Sequence, residues 1–168
     1  GAEPILHSII ADIDHAKSFC HMEFYICNEV GTVKKLCEAL VRAAARGVSC
    51  RLLLDAMGSR QFLKGHMVRY LRDKNIKVAA ALPLGPLHAL TTRLDLRAHR
   101  KIVVIDDKIA YTGSLNLVDP RFFKQEAGVG EWVDAMAKIR GPAVYILSAL
   151  FTWDWKLETG TDLGALPE

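Results

Sequence analysis

His99-Arg-Lys-Ile-Val-Val-Ile-Asp-Asp-Lys-Ile-Ala-Tyr-Thr-Gly-Ser-Leu-Asn116 holds a basic pair and two short apolar runs with an acidic turn between them. Ile102 to Ile105 is an unbroken β-branched run, too short for a helix and suited to a strand buried on both faces. Ile109 to Thr112 reads as a second strand. Asp107-Lys108 reads as the centre of a two-residue turn, without the favoured Asn-Gly or Asp-Gly. Side chains alternate along a strand, so His99 and Lys101 share a face. With that turn, Asp106 pairs with Ile109, Lys101 lies opposite Ser114, and His99 lies opposite Asn116. Opposed residues stand about 4.5–5.5 Å apart at Cβ.

One face of the hairpin then gathers an imidazole, an ammonium, a hydroxyl and an amide. The set suits an anionic phosphoryl centre. Lysine supplies a compact charge, serine and asparagine supply donors, and histidine serves as nucleophile or proton shuttle. Alone, His99 reads first as a structural histidine, and its company of Lys101, Ser114 and Asn116 turns that reading to catalysis; the other reading of Ser114 and Asn116 is turn chemistry. Asp106 has the opposite parity. It is expected to keep away from substrate and to fix the turn, or to accept a hydrogen bond from nearby backbone or a cation.

The spacing His99-x-Lys101-x4-Asp106-x6-Gly113-Ser114-x-Asn116 resembles the HKD signature of the phospholipase D superfamily. The flanks narrow the resemblance. Leu94 to Lys101, Asn116-Leu-Val-Asp-Pro120 and Gly128-Val-Gly-Glu-Trp-Val-Asp134 are similar to the first HKD half of a bacterial cardiolipin synthase, and the likeness runs from about Pro4 to Gly160. The resemblance implies a catalytic signature of His99, Lys101 and Asp106. His99 attacks a phosphodiester phosphorus and forms a phosphohistidine. The histidine of a second HKD motif protonates the leaving alcohol and then activates the incoming one. Lys101, Ser114 and Asn116 hold the non-bridging oxygens. An acidic residue at the place of Glu131 orients the histidine; its other reading is an exposed strand-end carboxylate. The implied reaction needs no metal and no cofactor.

Outward from the motif, residues 4–18 read as a helix and Met22 to Cys27 as a strand. Residues 32–46 form a second helix with Val33, Leu36, Cys37, Leu40 and Val41 on one face and Gly47 at its C′ position. Val48 to Leu54 is a strand, 61–73 a helix, and Ile76 to Leu82 a strand. This alternation predicts an α/β fold with a mostly parallel, mixed central sheet and helices on both faces. Two long loops, 83–95 and 117–129, flank the hairpin. Glu131 to Ile139 is the last strand, and Gly141-Pro142 opens a final helix running to about Glu158 with Val144, Leu147, Leu150, Phe151, Trp153 and Leu157. The tail 159–168 reads as polar and frayed.

At 168 residues the chain is one domain by length, with a single HKD motif at 99–116. A net charge of +3 permits contact with phosphates or anionic lipid but falls short of a nucleic-acid-binding pattern, so no nucleic-acid partner is expected. Cys20, Cys27, Cys37 and Cys50 form no CxxC pair; three of them sit in apolar patterns and read as small buried hydrophobes, and a disulfide framework is not expected. The histidines and cysteines show no metal-ligand spacing. No apolar run approaches membrane-spanning length. Gly1-Ala-Glu-Pro4 enters a helical pattern at once, which reads as a domain excised from a longer two-motif membrane enzyme, with vector-encoded first residues.

The first function the residues and the resemblance support is phosphatidyl transfer, converting two phosphatidylglycerols to cardiolipin and glycerol. The alternative is a phosphodiesterase on the same site, endonuclease or phospholipase D, with water as acceptor. The HKD residues alone do not separate these. A third reading is an inert half-site. The expected partners are a phospholipid, a membrane surface through the full-length enzyme, and a second HKD half in cis or in a homodimer. The full-length protein is expected at the bacterial plasma membrane, and this fragment in solution. Arg93 either meets a lipid phosphate or is merely solvated. Phe122-Phe123-Lys124 either dips into a bilayer or packs in the core. Trp132, Trp153 and Trp155 read as core or interface. Arg100 has the parity opposite to His99 and receives no role. One motif supplies one histidine, so a monomer of this chain is expected to be inactive.

Overall fold

Helix α1 (Ala2–His15) buries Leu6, Ile9 and Ile13, and α2 (Thr32–Ala45) buries Val33, Leu36, Cys37 and Leu40. In this computed structural model, residues 1–82, 99–119, 121 and 133–164 are described. The strands are β1 (Phe19–Phe24), β2 (Ser49–Asp55), β3 (Lys77–Ala81), β4 (Ile102–Ile105), β5 (Ile109–Gly113) and β6 (Met136–Arg140). They form one sheet in the order β3-β2-β1-β4-β5-β6. β1, β2 and β3 pair in parallel, while β4, β5 and β6 add on by antiparallel pairing. Four strands therefore run one way and β4 and β6 the other, giving the mixed sheet expected. The helices α1, α2, α3 (Arg60–Lys64) and α4 (His66–Asp73) pack on one face with Met22, Phe24, Leu52, Leu54, Val103 and Ile105. Helix α5 (Ala143–Thr159) covers the other face, against Leu53, Ala81, Ile102, Val104 and Ala110.

Several boundaries differ from the sequence reading, each for a physical reason. Helix α1 stops at His15 because the Asp106 carboxylate takes the backbone N–H groups of Lys17, Ser18 and Phe19 at 2.7, 2.8 and 2.8 Å. Those bonds straighten the chain and start β1 three residues before the expected Met22. At its other end β1 leaves the sheet after Phe24, although Tyr25-Ile26-Cys27 continues the apolar run. The segment is drawn away by the chain after β5. Leu117 N donates to Ile26 O at 3.0 Å, and Asn28 N donates to Leu117 O at 2.9 Å. The expected helix 61–73 is two helices, because Gly65 takes an extended conformation (φ −74°, ψ 172°) between them. Helix α5 keeps its expected span and ends at Gly160 with φ 69°. Its inner face is Val144, Ser148, Phe151, Asp154 and Trp155, whereas Leu150, Trp153 and Leu157 face outward. The start of the tail is tied down: Lys156 Nζ reaches Asp162 at 2.5 Å, and Leu163 packs beside Phe151 and Trp155. All four cysteines are free and buried.

Loop 83–95 with Arg93, the segment holding Phe122, Phe123 and Lys124, and Trp132 lie outside the described residues. No helix among the described residues is long and apolar enough to cross a membrane.

Candidate active site

The hairpin exists, but its register is one residue off the expected one. Asp106 and Asp107 both adopt φ 53°, and Lys108 N donates to Ile105 O at 3.0 Å. The turn is therefore centred on Asp106-Asp107, and Lys108 is an extra residue before β5. Ile105 pairs with Ile109, Val103 with Tyr111, and Ile102 with Thr112. A one-residue slip flips every side chain to the other face. Continued outward, this ladder sets Lys101 opposite Gly113 and His99 opposite Leu115. The expected pairs Lys101–Ser114 and His99–Asn116 are not formed across the hairpin.

His99 and Lys101 meet instead on Tyr25, just past the C-terminal end of β1. The His99 ring stands edge-on to the Tyr25 ring at a centroid distance of 4.6 Å. Lys101 Nζ lies 6.0 Å from the centroid of the same ring and donates to His99 O at 2.7 Å. Partial burial pulls the Lys101 ammonium below its ordinary range, and the nearby Asp134 carboxylate opposes that shift. The loop after β2 holds Tyr25 from behind. Ser59 Oγ donates to Tyr25 O at 3.0 Å, and a Cβ on Gly58 would collide with that carbonyl. In open α/β sheets ligands bind beyond the carboxyl ends of the strands, and this cluster stands there for β1 and β2.

Asn116 follows Leu115 on the chain leaving β5. It is buried, and its Oδ1 accepts from Ile26 N at 3.1 Å. With the carbonyl end engaged, its amide N–H groups are the donors it has to offer. Ser114 is exposed and committed to the approach to β6. Its Oγ donates to Asp134 Oδ1 at 2.8 Å and accepts from Ala135 N at 3.0 Å. Gly113 permits this close approach, since a Cβ there would strike the Ala135 carbonyl. Asp106 is at the other end of β4, about 16 Å away along the strand from Lys101. Its carboxylate accepts from three backbone N–H groups, those of Lys17, Ser18 and Phe19. Glu131 lies outside the described residues.

Tyr25 and Asp134 were not singled out in the sequence. Tyr25 is hidden inside an apolar strand pattern. Asp134 closes the Gly-Val-Gly-Glu-Trp-Val-Asp segment, in which Glu131 is the acid that the resemblance marks. Among the described residues no cluster of histidine, cysteine or carboxylate side chains is arranged to hold a metal. Chemically, the mouth offers an exposed imidazole and a partly buried ammonium at one aromatic ring, with the buried Asn116 amide held on the neighbouring Ile26 backbone. That combination supports nucleophilic attack on an anion whose charge is held by fixed donors.

Residues 9–155 match the family described as cardiolipin synthase, PLD-like domain. The chain is 48% identical over 158 residues to a protein named Cardiolipin synthase A from Pectobacterium carotovorum, covering 94% of this chain and 32% of that one. A Cardiolipin synthase A from Yersinia pestis is 47% identical over 155 residues, covering 92% and 32%. The chain thus spans about a third of the length of the curated relatives it matches. Among solved structures it resembles NucT from Helicobacter pylori (TM-score 0.66, 17% identity, 90% of this chain and 87% of that one). It also resembles Nuc, a phospholipase D family member from Salmonella typhimurium (TM-score 0.62, 19% identity, 89% and 86%). At such identities these two likenesses concern the fold.

Proposed function

We propose a function on one premise: the chain belongs to the PLD-like domain family of cardiolipin synthases. On that premise it is one HKD half of a phosphatidyl transferase that joins two phosphatidylglycerols into cardiolipin and releases glycerol. The His99 imidazole attacks the phosphodiester phosphorus. A nitrogen–phosphorus bond forms, the bond to the glycerol headgroup oxygen breaks, and the histidine of a second HKD half protonates the departing glycerol. That histidine then takes the proton from a hydroxyl of a second phosphatidylglycerol. The hydroxyl oxygen attacks the phosphorus, the nitrogen–phosphorus bond breaks, and cardiolipin leaves with His99 restored.

Each residue has a part that follows from its place. Lys101 and the Asn116 amide hold the non-bridging oxygens, where low dielectric strengthens a fixed donor. Ser114 reaches the phosphate only by exchanging its bond to Asp134; otherwise it acts by keeping Asp134 beside Lys101. Asp106 works at a distance by fixing the far end of the hairpin. Glu131 is assigned the orientation of His99. The second half comes from the same full-length chain or from a two-fold copy, and the full-length enzyme works at a membrane on phospholipid.

One observation carries the reading: 48% identity over 158 residues to a Cardiolipin synthase A. The test is mass spectrometry of lipids from cells lacking their own cardiolipin synthases and expressing the full-length gene. Accumulated cardiolipin that disappears with His99→Ala is the expected result. No cardiolipin, together with release of phosphatidic acid or cleavage of DNA in vitro, would assign the site to water as acceptor.

A further inference from the structure

Arg100 stands between His99 and Lys101, and its side chain leaves by the opposite face of the sheet. It reaches α5, where Nη2 donates to Asp154 Oδ1 at 3.0 Å and lies 2.9 Å from Oδ2. Its Nε stands 3.7 Å from Glu23 Oε1 on β1. Both acids are buried, with Glu23 3% and Asp154 8% exposed. Two buried carboxyls thus share one guanidinium. Isolated charge is costly in such a place, and neutrality requires a proton on one of the acids. Burial first, then the Asp154 carboxylate, push Glu23 up to about 8. At neutral pH Glu23 is therefore the protonated member, and Arg100 with Asp154 is a single ion pair.

The sheet itself does not hold His99. The outermost ladder pairs of β4 are Glu23 with Ile102 and Ile102 with Thr112. His99 lies beyond both. The Lys101 bond to the His99 carbonyl is local to the segment. Among the described residues, Arg100 ties this segment to α5, a helix far along the chain.

We propose that Arg100, anchored on Asp154, is a positioning residue for His99: it braces from behind the segment that sets the imidazole against Tyr25. This rests on the reading of His99 as the nucleophile. Guanidinium suits the task because its rigid planar group presents donors of fixed direction to the Asp154 carboxylate, which an ammonium cannot match in geometry. A misplacement of about 1 Å can lower a rate by about 10²-fold.

Two measurements test the proposal. In the 168-residue chain, nuclear Overhauser contacts between the His99 and Tyr25 rings report the position directly. In the full-length enzyme, kcat and KM report the consequence. Arg100→Gln is expected to abolish the ring contacts and lower kcat about 10–100-fold, with KM within about two-fold. Glu23→Gln, an uncharged stand-in for the protonated acid, is expected to keep both the contacts and kcat. Should Arg100→Gln fail to fold, Arg100→Lys retains the charge without the fork, and is expected to weaken the contacts and lower kcat about ten-fold. Ring contacts and kcat unchanged in the folded Arg100 variants would overturn the proposal, as would a kcat loss with the contacts intact. Full activity in His99→Ala would overturn the nucleophile reading instead, a result the ring contacts do not depend on.

Discussion

Along β1, Cys20, Met22 and Phe24 turn toward α1 and α2, whereas Phe19, His21 and Glu23 turn toward α5. The first side is a continuous apolar core with Leu6, Ile9, Leu36, Leu52 and Leu54. The second side mixes apolar and titratable groups. His21 is stacked between Phe19 and Phe151 at 4.4 and 4.6 Å, accepts from Arg51 at Nε2, and is pulled down to about 3, first by burial and then by the Arg51 charge. Glu23 and Asp154 share Arg100. The contrast separates two tasks within one strand. Apolar burial on the α1–α2 side supplies stability, and buried charge on the α5 side supplies orientation together with a dependence on pH.

The largest effect expected comes from the apolar side. Ile9→Ala leaves a cavity under a fully buried side chain and is expected to lower unfolding free energy by about 2–5 kcal/mol in urea titrations. Turnover per folded full-length enzyme should stay at the wild-type value. A smaller loss of stability with a large loss of turnover would erase the division between the sides.

The second effect belongs to the α5 side and is read as stability against pH. Glu23 is raised from 4.5 to about 8 in the folded protein, so the folded state holds a proton that the unfolded state has released. That term stabilises most below pH 4.5 and is lost as pH rises through about 8. His21 is lowered from 6.5 to about 3, so its term opposes Glu23 between these values and is complete above 6.5. Stability is therefore expected to fall between about pH 6.5 and 8, by at most about 2 kcal/mol. Glu23→Gln should make that window level. The same fall in wild type and variant would remove Glu23 as its source.

The smallest effect lies at neither side but at the turn. Asp106→Asn keeps an oxygen for the 17–19 backbone and a residue type that tolerates positive φ. It is expected to lower stability by about 1 kcal/mol through weaker, uncharged acceptance. Turnover should follow the folded fraction. A turnover loss of several orders of magnitude at unchanged melting temperature would place Asp106 in the chemistry.

The same contrast explains what the sequence could show. The apolar side was legible because Leu6, Ile9 and Ile13 and the α2 stripe repeat at helical spacing, and a buried apolar face leaves a periodic trace. The α5 side was not. Asp154 and Ser148 look like solvent-facing residues, and Arg100, arriving from a distant segment, gives Asp154 a reason to turn inward. His99 and Lys101 were legible from their spacing and charge. Their meeting place was not, because it depends on register. Asp106-Asp107 carries no glycine to mark φ 53° at both positions, so the sequence alone sets the turn one residue late and shifts the cross-strand partners with it. Tyr25, which receives both side chains, is silent in any pattern that reads it as one more strand residue.

The central claim is that His99, held on Tyr25 at the mouth of the sheet, is the nucleophile. Full-length enzyme mixed with phosphatidylglycerol, quenched in denaturant at mildly alkaline pH and digested, places the covalent intermediate by peptide mass spectrometry. The account predicts a phosphatidyl adduct on His99, present during turnover and absent in His99→Ala. An adduct on another side chain, or undiminished turnover by His99→Ala, would contradict it.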